Sequence, residues 1–230
     1  MSTLAILPVK SFASAKQRLA GSLGAEARQT LAVAMFTDVL DSLRHVPRLD
    51  EVVVVTAERA AQAAANTRGV RVLPDGAEAG QSEAALIGIG HALAGGHDRV
   101  VLVPGDTPLL QPGDLESLIA GRPRSPAVAI VPDRHGTGTN ALVLSPPDVI
   151  EPSFGPDSLA RHVAAAEEAG VVHRVERVRT LALDVDTPGD LSELVAELEL
   201  RPGQAPATRR ALSQLDHAGG PSARVRQASA

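Results

Sequence analysis

The sequence predicts an α/β fold: one domain with a mostly parallel central sheet and helices on both faces. Three observations predict it. Short apolar runs recur along the 230 residues, too short for helices and bounded by turn residues. Segments with apolar residues at helical spacing separate them. Strands joined through helices pair in parallel, because each crossover returns the chain to the same end of the sheet.

Residues 3–9, TLAILPV, are a candidate central strand buried on both faces. Residues 10–23 are polar and rich in Ser, Ala and Gly, and carry Lys10, Lys16 and Arg18. Residues 25–46 place Leu31, Met35, Val39, Leu40 and Leu43 near helical spacing. A second buried strand is expected at 51–56, an alanine-rich helix at 57–67, and a short strand at 70–73 ended by the turn Pro74-Asp75-Gly76. Residues 80–93 read as a helix that Ser82 could cap, leaving free N–H groups for an anion. Gly88 and Gly90 weaken that helix unless close packing requires them.

The fourth strand, 98–103, stops at Pro104-Gly105, and Asp106 follows at once. Pro112 suits the first turn of a helix at 112–120. A strand is expected at 127–132, a glycine-rich loop at 134–140, apolar chain at 141–144, irregular chain at 146–155 and a helix at 157–169. Residues 171–178, VVHRVERV, alternate as a half-exposed strand does. A last short strand at 181–185 leads to Thr187 and Pro188, which start a helix running to 198. Residues 201–230 have few large apolar side chains and read as a disordered tail, apart from a turn of helix at 208–215.

Composition narrows the function. Hydrophobic residues make up 44% and charged residues 21%, a globular balance, and no apolar run reaches the roughly 18 residues of a membrane span. The chain enters a strand directly, without the pattern of a signal peptide, which suits a cytoplasmic protein. It has no cysteine, so disulfides, thiolate metal sites and a cysteine nucleophile are excluded. A net charge of −5 and only three aromatics, Phe12, Phe36 and Phe154, argue against a nucleic-acid surface. The seven histidines show no zinc spacing; His135 and His162 fall in candidate site segments without a role of their own. No Gly-x-Ser-x-Gly elbow supports a hydrolase triad.

Two features carry chemistry. Of 22 basic residues only Lys10 and Lys16 are lysines, and both lie in the first loop. In an arginine-biased chain, two such lysines suggest a site that wants a compact point charge, as phosphate oxygens do. Asp106 follows a buried strand, where open α/β sheets bind ligands. It is either a ligand for a divalent metal on a nucleotide or a turn residue before a helix. Asp184 and Asp186 alternate on the last strand, so they share a face and one could join Asp106; the alternative for Asp186 is a helix start. A calcium loop is excluded, because Pro188 and Val195 stand where ligands belong.

The motifs V-K-x(5)-K-x-R-L (from Val9), P-G-D-T-P (104–108), G-T-N-A-L (138–142), F-G-P-D-S (154–158) and D-V-D-T-P (184–188) resemble the 2-phospho-L-lactate and phosphoenolpyruvate guanylyltransferases of coenzyme F420 biosynthesis. The resemblance covers about residues 3–198. Where the family often has Gly-Leu-Asn, this chain has Gly80-Gln81-Ser82. The resemblance implies a single Rossmann-like nucleotidyltransferase domain over 1–200 and transfer of GMP from GTP to an acceptor phosphate, releasing pyrophosphate. It implies that Asp106 and Asp186 hold Mg2+, with Asp186 preferred to Asp184. Lys10, Lys16 and Arg18 would act on the triphosphate, and Leu7, Pro8, Val9, Asp75 and Ser82 would bind the nucleotide. Thr139, Asn140, Gly155 and Ser158 would hold the acceptor; read without the family, these are turn and first-turn residues. The implied partners are GTP and a small phosphorylated carboxylic acid, with neither nucleic acid nor membrane, and a homodimer as the candidate assembly. A nucleotidyltransferase for another acceptor, such as a molybdopterin or a sugar phosphate, and a non-catalytic nucleotide-binding regulator are the competing readings.

Overall fold

The structure is a computed structural model that describes residues 1–120 and 125–217. The chain forms β1 (Thr3–Pro8), α1 (Ala25–Leu43), β2 (Glu51–Val55), α2 (Arg59–Asn66), β3 (Arg71–Leu73), α3 (Gln81–Ala94) and β4 (Arg99–Leu102). It continues with α4 (Pro112–Ala120), β5 (Ala127–Pro132), β6 (Thr139–Ser145), α5 (Ser158–Glu168), β7 (Val172–Val175), α6 (Pro188–Leu200) and α7 (Pro206–His217). Seven strands lie in the order β3-β2-β1-β4-β6-β5-β7. β1 pairs in parallel with β2 and β4, β2 with β3, and β5 with β7; β6 runs antiparallel between β4 and β5.

The apolar runs read as they do because the sheet is covered on both faces. Ala5 and Leu7 of β1 pack with Val54, Val101 and Val143 against α1 and α4. Leu4 and Ile6 point the other way and pack with Val53, Val100 and Leu142 against α3. Gly88 allows that second layer: a Cβ there would lie 2.5 Å from Ile6 Cγ2, so α3 sits closer to β1 than any other residue permits.

The order of strands fixes where a ligand can go. The chain winds outward from β1 to β2 and β3, then returns to place β4 on the opposite side of β1. The carboxyl ends of β1 and β4 therefore diverge in their connections and leave a crevice between the loops that follow them. The loop with both lysines and the loop with Asp106 flank that crevice.

Three expectations change. Residues 181–185 form no strand; the segment is irregular, and its one backbone link to the neighbouring loop is Val185 N–H to Asp106 O, 3.3 Å. The alternation that suggested a strand comes from packing: Leu181 enters the core under α1, while Leu183 and Val185 join Leu31, Met35 and Leu194. Thr139 and Asn140 are not loop but the start of β6, where the register with β5 shifts after Val131. Residues beyond 200 also add a helix, α7, longer than the single turn expected at 208–215. Ala205, Leu212 and Leu215 pack on the cluster that joins α1 and α6. The rest of the expected tail, 218–230, lies outside the described residues.

α7 is held by a side chain far away in the sequence. The buried carboxylate of Asp38 on α1 accepts hydrogen bonds from Ala207 N (3.0 Å) and Thr208 N (2.7 Å), two orphan donors of the first helical turn. We expect Asp38→Ala to lower stability by about 1–2 kcal/mol, the usual cost of losing such a cap. In urea denaturation the midpoint should fall with the slope unchanged. An unchanged midpoint would show that α7 contributes nothing through this contact.

Candidate active site

Three chain segments meet at the crevice: the loop after β1, the loop after β4, and residues 183–187 before α6. Lys16 stands at the junction. Its backbone is left-handed (φ 57°), just ahead of a 3-10 turn at Gln17–Leu19. Two buried anchors set that loop. Phe12 packs on Phe36 of α1 and donates its N–H to Glu58 (2.9 Å), and Leu19 is fully buried. Between them the Lys16 side chain turns inward and is 7% exposed. Its Nζ lies 2.5 Å from Asp106 Oδ2 and 2.9 Å from Asp186 Oδ1. Burial alone would lower the Lys16 pKa, but the charges of Asp106 and Asp186 outweigh it and hold the ammonium above its ordinary range.

Both aspartates are freed from local duties. Asp106 caps no helix, since α4 begins only at Pro112. Asp186 does not start α6 either: Thr187 is the cap, and Asp190 closes a capping box with it. Asp190 also accepts from Asp186 N (3.1 Å) and pairs with Arg134 Nη2 (2.6 Å), so the backbone that carries Asp186 is fixed from behind. Burial would raise the Asp190 pKa, but these hydrogen bonds and the Arg134 charge hold it below the usual carboxylate value. Asp184 lies beside the pair. Burial and then the charge of Asp106 push its pKa up to about 6, against the hydrogen bond it accepts from Asn140 Nδ2 at 3.0 Å.

Two cavities meet at this knot, sharing Gln81, Pro104, Asp106 and Asp186. The first, about 280 Å³, is walled by Pro8, Val9, Lys10 and the small residues before Lys16. The second, about 410 Å³, is lined by Arg18, Thr139, Asn140 and Gly155 and by six aspartates, at 106, 133, 157, 184, 186 and 190. Its far wall is the loop at 153–157, which Arg161 grips through the carbonyls of Ser153 (3.0 Å), Phe154 (3.2 Å) and Pro156. Gly155 has φ +110°, a conformation that strains any other residue.

The structure thus brings together Pro8, Val9, Lys10, Lys16, Asp106 and Asp186 around one cavity, and Arg18, Thr139, Asn140 and Gly155 around the other. Four expected site residues stand elsewhere. Leu7 is a core side chain, because its place in β1 points it into the sheet packing. Asp75 is buried in the turn after β3, accepts from Glu78 N (3.0 Å) and lines neither cavity. Ser82 does not cap α3, whose cap is Gly80; its hydroxyl accepts from Phe154 N (2.9 Å) and ties α3 to the 153–157 loop. Ser158 is buried behind that loop, with its N–H on Gly155 O (3.2 Å). Asn140 lines the cavity, but its amide is committed to the carbonyls of Leu181 (2.9 Å) and Ala182 (3.2 Å) as well as to Asp184. Sequence reasoning missed Gln81, which faces both cavities, and the loop-holding Arg161; neither has a local signal.

The donor set suits a hard divalent cation. It is entirely oxygen, and Asp106 Oδ1 is buried without a partner among the described residues. Among the described residues no cluster of three or more His, Cys, Asp or Glu side chains is arranged to hold a metal alone. Asp106 and Asp186 would supply two carboxylates, the number Mg2+ commonly takes when phosphates and water complete its shell.

Residues 3–206 match the family described as "Guanylyl transferase CofC like". The phosphoenolpyruvate guanylyltransferase of Conexibacter woesei is 51% identical over 217 residues, covering 94% of this chain and 97% of that protein. The protein of the same name from Sphaerobacter thermophilus is 39% identical over 195 residues, covering 84% and 93%. Among solved structures, a Methanothermobacter nucleotidyl transferase superposes with a TM-score of 0.65 at 19% identity, over 86% of this chain and 98% of that one. A CMP:2-keto-3-deoxy-manno-octonic acid synthetase, solved with CTP, gives 0.58 at 16%, over 87% and 99%. Those two structures share the fold, a Rossmann-like nucleotidyltransferase domain. Among the described residues no helix is long and apolar enough to cross a membrane. With a family match spanning nearly the whole described chain and close relatives of matching length, the chain belongs to the CofC-like guanylyltransferase family.

Proposed function

We propose that this protein transfers GMP from GTP to the phosphate of phosphoenolpyruvate and releases pyrophosphate. The observation that carries the reading is the Lys16 ammonium between Asp106 and Asp186, at the point where two cavities meet. Two sites sharing one charged junction suit a reaction between two bound anions. The names of the 51% and 39% identical relatives support phosphoenolpyruvate as acceptor. The motif resemblance supports a product that serves coenzyme F420 biosynthesis.

In this reading the nucleotide takes the cavity beside Pro8, Val9 and Lys10, and the acceptor takes the cavity lined by Arg18, Thr139 and Gly155. An acceptor phosphate oxygen attacks the α-phosphorus of GTP; the bond from that phosphorus to the bridging oxygen breaks, and its electrons leave with pyrophosphate. No covalent enzyme intermediate is needed, so the protein's task is alignment and charge neutralisation. Lys10, Lys16 and Arg18 supply fixed positive charge toward the phosphates. Six aspartates around the acceptor cavity would repel an anion, which favours a reaction that needs a cation. Mg2+ held by Asp106 and Asp186 would neutralise charge on the reacting and leaving phosphates. Lys16 holds those carboxylates and would offer its ammonium to the triphosphate when a cation engages them.

A coupled pyrophosphate assay with Mg2+ tests the reading, crossing the four nucleoside triphosphates with phosphoenolpyruvate, 2-phospholactate and 3-phosphoglycerate. GTP with phosphoenolpyruvate should turn over fastest; no turnover with any acceptor would sink the proposal. Phosphoenolpyruvate and 2-phospholactate both carry the phosphate on the carbon next to the carboxylate, so selectivity between these two should be modest, about 1–3 kcal/mol, whereas 3-phosphoglycerate carries it one carbon further away. Asp106→Asn should still fold, at a lower melting temperature because buried Lys16 loses one of its two counter-charges, and should lose pyrophosphate release by at least about a hundredfold, the scale for removing one electrostatic stabiliser from an active site. A wild-type rate would remove Asp106 from the metal site.

A further inference from the structure

His162, on α5, has no exposed surface and no part in the chemistry described above. Both of its ring nitrogens are engaged. Nε2 lies 2.9 Å from the backbone N of Ser153. An amide N–H can only donate, so Nε2 is the acceptor. Burial, and then the charge of Arg161, push the ring's pKa down to about 4, so it is neutral near pH 7 and carries one proton. With Nε2 bare, that proton is on Nδ1.

Nδ1 lies 3.0 Å from Thr139 Oγ1. The direction of this bond follows: Nδ1–H donates and the threonine oxygen accepts. The reverse, Thr139 donating to a bare Nδ1, would set a ring N–H against the Ser153 N–H. The Thr139 hydroxyl proton then has no acceptor among the described residues, and Thr139 lines the 410 Å³ cavity. A hydroxyl that is free to act in either direction is thereby set as a donor toward the cavity.

We propose that His162 is a positioning residue: through Nδ1–H it locks Thr139 so that the threonine hydroxyl presents its proton to an anionic oxygen of the acceptor. This rests on the reading that the acceptor occupies the 410 Å³ cavity. The same ring joins two walls of that cavity, the start of β6 and the 153–157 loop, and its edge-on contact with Phe154 (centroids 5.3 Å apart) holds it between them.

The tautomer can be read directly by 15N NMR of the histidine-labelled wild-type protein. Nδ1 should be the protonated nitrogen of His162; a proton on Nε2 would overturn the proposal. Kinetics supply the functional half. His162→Gln can set Oε1 where Nε2 stood and keep the Ser153 contact, but it offers Thr139 no donor in place of Nδ1–H. His162→Asn can set its amide near Nδ1 and keep the donor. Thr139→Val and His162→Gln should each raise the KM for phosphoenolpyruvate by about tenfold or more, the scale of one hydrogen bond to a charged group, with the KM for GTP unchanged. His162→Asn should recover most of the loss, and His162→Gln should add nothing to Thr139→Val. If His162→Asn is as impaired as His162→Gln, or the double variant is additive, the ring acts only as a loop anchor and the proposal fails. Normal acceptor KM in Thr139→Val would overturn the placing of the acceptor as well. Normal KM in His162→Gln alone would overturn only the role of the histidine.

Discussion

One ammonium organises the site. Lys16 is almost completely removed from water, and removing a charge from water costs several kcal/mol unless partners replace the lost hydration. Asp106 and Asp186 replace it at 2.5 and 2.9 Å, from 90 and 170 residues further along the chain. The left-handed backbone at Lys16, the break after β4 and the start of α6 are therefore constrained together. None of the three can shift without exposing a buried charge to an unpaired state. The core supports this arrangement but does not explain it: apolar packing would be as well served by three hydrophobic side chains, and a buried ion pair is poor evidence of stability. Its value is that it holds two carboxylates and a cation where two cavities join.

Around that knot lies a second set of polar groups that fix the backbone. Asp190 and Thr187 hold the chain carrying Asp186, and Asn140 holds the chain carrying Asp184. Arg161 and Ser82 hold the loop at 153–157. Each satisfies backbone donors or acceptors in irregular chain that no sheet ladder serves. Such chain is needed where a ligand must approach, and it keeps one geometry only if its polar groups are all answered. Six aspartates line the 410 Å³ cavity, and like charges so placed repel one another.

Much of this could be read from the residues. The apolar runs marked β1, β2, β4 and β5 closely because those strands are largely buried on both faces and need no alternation. The scarcity of lysine pointed to Lys16, and the position of Asp106 after β4 pointed to the crevice. What stayed hidden depends on distant partners. Only a turn of α7 is legible around residues 208–215; its start stayed hidden because its first-turn donors are answered by Asp38 on α1. Leu181, Leu183 and Val185 alternate like a strand, but the edge of β4 is already taken by β6. Ser82, in a segment that departs from the family pattern, and Ser158, in F-G-P-D-S, look like ligands; the Ser82 hydroxyl accepts from Phe154 N and the Ser158 backbone N–H donates to Gly155 O, both tying the loop beside the cavity. His162 looked like any of seven histidines until Ser153 and Thr139 fixed its two nitrogens.

If Asp106 and Asp186 hold a divalent ion as proposed, the Lys16 ammonium competes with that ion for the same two carboxylates. Mn2+ binding measured by electron paramagnetic resonance, in the wild type and in Lys16→Met without nucleotide, tests it most directly. Removing a unit charge a few ångströms from both carboxylates should tighten Mn2+ binding by at least about tenfold, even as turnover is lost. Equal or weaker binding in Lys16→Met would contradict the claim and leave Lys16 as a structural tie between the three loops.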